Sequence, residues 1–379
     1  MRCDHCAHDV PDGVFCTRCG AHQGTTGEAG DAKTREHRYA AHPSEHVAHP
    51  GLITTLFPHL GHNKVHEFRW ALIVGLVGVL ILYVSGLIAA AILVSAFLVP
   101  VLYLIYLYET QVYRDEPAIV LGFTIGGGLA IGIVLTLLVR LLYHPLAFNP
   151  NPLVPPTVNI GVVIVLGLIV PVIQEAVKPL AAIFLPNRTD YPETVDGLVF
   201  GVAAGLGFAL AETLINFSSV LGYLGQVAPG NWIYNLTTIA VLQPVMQGSA
   251  TGMIVATIWR QQLGKLGGRE IGGVLMAVLA HVAFTGGTQI LSQTAIHPLF
   301  ILFWQAAVDG ALLVYVRYLL HHALLEEAAH MGFSETVCPN CHMHIFASGF
   351  CPNCGVALTA SPSAVKRGRK ERASTAKGA

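Results

Sequence analysis

Two kinds of residue in this sequence can do chemistry: eight cysteines in paired spacing, and a few ionisable side chains set inside long apolar runs. The cysteines form two sets. Cys3-x2-Cys6 is followed, after nine intervening residues, by Cys16-x2-Cys19, and Cys338-x2-Cys341 is followed, after nine intervening residues, by Cys351-x2-Cys354. Each set closes on Cys-Gly, so the pattern is an internal repeat. Two such knuckles joined by a short hairpin can place four thiolates around Zn2+ in a tetrahedron. These sites are closed, with no open coordination position, which suits a structural or adaptor role. A segment this short cannot build a core alone, so the metal supplies its folding energy. The same spacing read as disulfides requires an oxidising compartment, against which the topology argues.

The ionisable residues inside apolar runs are the second kind. Such groups are expensive in a membrane and mark function by default. One run reads Pro171-Val-Ile-Gln174-Glu175-Ala-Val-Lys178-Pro179, with Glu175 and Lys178 three residues apart on neighbouring helix faces. An ion pair that only locks packing is the alternative there. The next run carries Gly197, Gly201 and Gly205, a small-residue stripe for close helix packing, and then Glu212 and Asn216 one turn apart. Glu212 has no basic neighbour in its own run, so it must find a partner elsewhere, bind a cation or stay protonated. Further on stand Gln243, Gln247 and Thr251, then His281, then Asp309, a counter-charge for Lys178 or a second site residue.

The elements that must position these groups are membrane helices. Of 379 residues, 53% are hydrophobic and only 11% charged, far below the charged share of a soluble domain. Eight apolar runs stand at about 70–90, 91–108, 118–142, 158–185, 194–220, 236–259, 271–293 and 298–320. Each is long enough for a hydrocarbon core of about 30 Å. The break between the first two falls at Ala89-Ala90-Ala91. The expected fold is all-α and polytopic, with about eight transmembrane helices and a small zinc ribbon at each terminus. No apolar signal segment opens the sequence.

Charge then orients the chain. With the N-terminus in the cytoplasm, cytoplasmic connections hold Lys64, Arg69, Arg114, Arg188, Arg260, Lys265 and Arg269, and Arg140 is the exception near an outer end. This is the positive-inside distribution. Eight spans return the C-terminus to the same side, so both ribbons face the reducing cytoplasm, which favours zinc over disulfides; the membrane is expected to be the cell membrane. The domains read as a ribbon at 1–22, a His-rich linker with an interfacial segment at 23–63, a transmembrane domain at 64–325, a linker at 326–337, a ribbon at 338–358 and a basic tail at 359–379. The linker histidines (His37, His42, His46, His49, His59 and His62 among them) either bind metal or sit in a solvated, disordered tract. The tail, with Lys366, Arg367, Arg369, Lys370, Arg372 and Lys377, either touches anionic lipid or is simply solvated. The first ribbon sets Arg2 and Arg18 against Asp4, Asp9 and Asp12, so a protein partner suits it better than nucleic acid.

The order and spacing of the intramembrane motifs resemble the PrsW family of membrane-embedded proteases, relatives of the CAAX prenyl endopeptidases. That family's pattern is Glu-Glu-x-x-Lys, then Gly-x-Gly-Phe-x-x-x-Glu, then His-x-x-x-(Ser/Thr)-Gly, then a further His. The matching residues are Gln174-Glu175-x-x-Lys178, Gly205-Leu-Gly207-Phe208-x-x-x-Glu212, Gln247-Gly-Ser-Ala-Thr251-Gly252 and His281. The resemblance covers about residues 64–325 and leaves out the ribbons and linker. It implies metal-dependent hydrolysis of peptide bonds in membrane-protein substrates, with the bilayer as the medium. It also implies Glu175, Lys178, Gln174, Glu212, His281 and Gln247 as site residues, and Glu212 and His281 as ligands of a divalent metal, by expectation Zn2+. In such a site a carboxylate deprotonates water while a metal or side chain polarises the carbonyl.

The sequence departs from that pattern twice. Gln174 stands at the first Glu, and Gln247 at the His. Glutamine matches glutamate in size but takes no proton at neutral pH. Glu175 assumes the base role only if its helix turns by about 100°. Three readings follow: an active endopeptidase with Glu175 as base, an inactive relative that binds membrane clients or regulates through its ribbons, and a transporter or channel using the carboxylates as an ion path. The retained Glu175, Glu212 and His281 favour the first, and the two glutamines favour the second. The third has no feature of its own, and no inverted repeat supports it.

Overall fold

The structure, a computed structural model, describes residues 39–41, 66–110, 118–147, 160–185, 191, 193–220, 234, 236–262, 268–294, 296–330, 335–338, 342, 344–346 and 361–362. Helices dominate. They are α1 (His66–Val84), α2 (Ile88–Thr110), α3 (Ala118–Ala147), α4 (Ile160–Ile183), α5 (Thr194–Val220), α6 (a π segment Thr237–Leu242 running into Gln243–Gln262), α7 (Gly268–Ser292) and α8 (Pro298–His330). Apolar chain in a bilayer has no water to pair its backbone, so each run closes its own hydrogen bonds as a helix.

Among the described residues, seven helices are long and apolar enough to cross a membrane, and Phe68–Val84 is a shorter apolar helix. The eight expected runs are therefore all helical, with the first falling short of a full span. The break between the first two runs also lies earlier than expected. It occupies Ser85-Gly86-Leu87, not the alanine triplet, which is helical within α2. Gly86 adopts φ +75°, a left-handed conformation open to glycine at little cost. Alanines extend a helix; a glycine after a serine ends one.

The chain divides into two compact units. One comprises His66–Tyr106 and Pro117–Leu319; the other comprises Met1–Val65, Leu107–Glu116 and Leu320–Ala379. In the first unit α5 is central, with 83% of its span buried, whereas α3 keeps 17% buried and turns Phe123, Val134 and Leu138 outward. The glycines of α5 explain its depth. A Cβ at Gly201 would meet Gly252 and Thr251 of α6 at 2.8 Å, and one at Gly205 would collide with the carbonyl of Gln247. The expected small-residue stripe therefore packs α5 against α6. On another face Gly207 lies against the Ile125 carbonyl of α3. Below this layer Phe200, Val255 and Trp259 form an apolar cluster with Ala182 and Leu185.

In the second unit two antiparallel strand pairs are described. β1 (Tyr39–Ala41) pairs with β4 (Ser361–Pro362), so the His-rich linker contributes one short strand. β2 (Glu335–Val337) pairs with β3 (His344–Phe346). Cys338 follows β2 directly and is buried. Cys3, Cys6, Cys16, Cys19, Cys341, Cys351 and Cys354 lie outside the described residues.

Candidate active site in the membrane helices

Four helices meet at one polar centre. α4 brings Gln174, Glu175 and Lys178; α5 brings Phe208 and Glu212; α6 brings Gln243, Gln247 and Thr251; α7 brings His281. Gln174, Glu175, Lys178, Gln247, Thr251 and His281 are all buried, and Glu212 is partly buried.

Two of these helices share a local irregularity just before the site. The π segment Val165–Ile169 precedes Pro171 in α4, and the π segment Thr237–Leu242 precedes Pro244 in α6. In both cases the proline comes two residues after the last π residue. Proline has no N–H to donate, and its ring crowds the carbonyl four residues back. A widened turn relieves that clash and rotates the following residues. Turns of this type recur at functional sites. In α4 the helix that follows is short, Val170–Val177, and it carries Gln174 and Glu175.

Glu175 is the most heavily engaged group. Its Oε1 accepts from the Lys178 ammonium and lies 2.6 Å from His281 Nδ1. Its Oε2 lies 3.5 Å from the Thr251 hydroxyl. Lys178 donates a second bond to Gln247 Oε1, and its Nζ sits 5.4 Å from the centre of the Phe208 ring. Gln247 continues the chain by donating from Nε2 to Glu212 Oε2 at 2.9 Å. The side chains of Gln243 and Gln174 also approach Glu212. Behind this centre Tyr103 Oη and Ser249 Oγ share a hydrogen bond of 2.8 Å.

The structure thus joins all six site residues expected from the sequence into one network. Glu175 belongs to it without displacing Gln174: the two neighbours straddle the centre, Glu175 towards His281 and Gln174 towards Glu212. Asp309 is not the counter-charge of Lys178; among the described residues neither of its oxygens has a hydrogen-bond partner. Three members, Gln243, Thr251 and Phe208, were not expected as site residues. Phe208 and Thr251 lie inside motifs of the family pattern, and Gln243 stands one helical turn before Gln247, a spacing that puts it on the same face.

A model of PrsW family intramembrane metalloproteases matches residues 116–316, more than half of the chain, and that stretch contains every residue of this centre. The chain belongs to the PrsW family. No curated protein and no solved structure matches it. Membership makes it an integral membrane protein of a protease family, with lipid around the helices and membrane proteins as the substrate class.

PrsW proteins are metalloproteases as a family, so the centre must be tested for a metal. The donors present do not fit one. Among the described residues no three His, Cys, Asp or Glu side chains gather as ligands. Glu212, one of the two expected ligands, is committed to Gln247, and His281, the other, engages Glu175 through Nδ1 alone. Between these pairs stands a cation already, Lys178.

Proposed function

We propose that this PrsW-family chain is an intramembrane endopeptidase that hydrolyses peptide bonds of membrane-protein substrates through a His281–Glu175 pair. The observation that carries the reading is the 2.6 Å contact between His281 Nδ1 and Glu175 Oε1, two residues on different helices, both buried in apolar spans. Glu175 has both oxygens engaged, so it serves better to orient the imidazole than to take a proton from water. His281 Nε2 has no hydrogen-bond partner among the described residues and is the natural base. It accepts a proton from water; the hydroxide adds to the substrate carbonyl; the same proton then passes to the departing amine. Lys178 offsets the charge of Glu175 and holds Gln247 in place. The test is cleavage of a membrane-spanning peptide by the full chain in liposomes. His281→Ala should slow it by about 100-fold or more. Peptide binding without cleavage by the unaltered chain would sink this reading.

That outcome would favour a client-binding scaffold, the reading supported by Gln174 and Gln247 at the family's Glu and His positions. In either case the two cysteine sets are read as zinc ribbons that engage a protein partner. Their matched spacing supports this, as does the β2–β3 pairing around buried Cys338, whose carbonyl accepts from His342 N–H at 2.9 Å. The lysine and arginine distribution supports a cytoplasmic position for both ribbons. A membrane-impermeant maleimide should label ribbon thiols of zinc-stripped chain only in opened cells or inverted vesicles. Labelling on intact cells would reverse the orientation.

A further inference from the structure

We propose that the intramembrane centre of this chain takes no divalent metal, because Lys178 is its resident cation and the glutamines around Glu212 occupy the carboxylate that would otherwise bind one. The inference rests on the reading of this centre as a PrsW-family site and specifies its chemistry.

The argument starts from Gln247. Its amide bridges Lys178 and Glu212, and only one orientation works. With Oε1 towards the ammonium and Nε2 towards the carboxylate, both contacts are donor to acceptor. Flipped, the amide would aim N–H at N–H and oxygen at oxygen. The network therefore fixes the side chain, and the charge on either side fixes the network. A histidine here, as in the family pattern, is free to present a lone pair to a metal; this amide nitrogen has none to offer.

Glu212 is then accounted for. It accepts from Gln247 at 2.9 Å, and the amides of Gln243 and Gln174 approach it from two helices. A carboxylate has about four lone-pair positions, and the amides crowded around this one leave little room for a metal. The family pattern places a second carboxylate at position 174, which would repel Glu212 unless a cation lay between them. Glutamine at that position removes the repulsion and with it the demand for the cation.

Lys178 completes the argument. Its ammonium contacts Glu175 and Gln247 and faces the Phe208 ring, with no exposed surface. A divalent ion held by Glu212 and His281 would have to lie beside this ammonium. It would also have to strip the Gln247 amide hydrogen from Glu212. That step gives up a buried charge-assisted hydrogen bond, an interaction roughly twice as strong as its neutral counterpart.

The measurement is metal per chain by elemental analysis of the purified full-length protein in detergent. The unaltered chain should lose all its zinc when the ribbon cysteines are changed to serine, and Glu212→Gln should leave its metal content unchanged. Gln174→Glu combined with Gln247→His should add about one ion per chain. Loss of about one ion on Glu212→Gln alone would overturn the proposal. No gain in the double variant, when it elutes as a monodisperse peak, would overturn the assignment of exclusion to the two glutamines. Neither readout depends on cleavage, so a chain that fails to cut peptides still tests this inference separately.

Discussion

Two buried carboxylates in the same helical unit are treated in opposite ways. Glu175 of α4 lies within reach of Lys178 on its own helix, Thr251 of α6 and His281 of α7. Asp309 of α8 is equally buried, yet neither oxygen has a partner among the described residues. Its neighbour Tyr103 spends its hydroxyl on Ser249. Four residues before Asp309, Gln305 is satisfied at both ends, by Thr238 at 2.9 Å and Thr288 at 3.0 Å. So α8 is able to offer partners, and Asp309 goes without them. The difference separates a carboxylate that organises its surroundings from one that only burdens them. Glu175 ties three helices together, while Asp309 ties none.

The comparison is sharpest where one partner of Glu175 is removed. Lys178→Met keeps the apolar stem and deletes the charge, leaving Glu175 buried against His281 and Thr251 and leaving Gln247 Oε1 without its donor. Breaking a buried pair from one side costs about 3–5 kcal/mol. The expected result is a large fall in the thermal midpoint of the detergent-solubilised protein, together with loss of any peptide cleavage. A variant as stable as the parent would mean that Lys178 does not hold the centre, and the contrast with Asp309 would collapse.

Why the centre was legible in sequence follows from the same energetics. Glu175, Lys178, Glu212 and His281 stand out because charge in an apolar run is costly, and a chain keeps it only where something compensates. Gln174 and Gln247 were visible as departures from a motif, and the glycines at 197, 201 and 205 announced a close helix contact that the structure places on α6. The partner of each group was not legible, because that depends on helix rotation. The π segments before Pro171 and Pro244 set this rotation, and the prolines that mark them could be read in advance while the turn itself could not. The same limit explains Glu175, expected to need a rotated helix and found in the network beside Gln174. The early break at Gly86 had a local signal too, but three alanines in an apolar run drew the boundary away from it.

Asp309→Asn tests the other half of the contrast. Asparagine keeps the shape and exchanges the carboxyl for an amide, so a side chain that ties nothing together should be replaced without loss. Leaving a buried polar atom unpaired costs about 1–3 kcal/mol, and more for a charged group. Part of that cost persists in asparagine, whose amide needs partners as well. The net effect should therefore be small and favourable, about 1 kcal/mol or less, read as a slight rise in the thermal midpoint with cleavage retained. A fall of about 2 kcal/mol or more would show that Asp309 is paired after all, at the scale of a charged hydrogen bond. A raised midpoint with cleavage abolished would be a different result, since stability gained at the expense of activity is the mark of a strained functional group. It would place Asp309 in the chemistry beside Glu175 and end the division between the two.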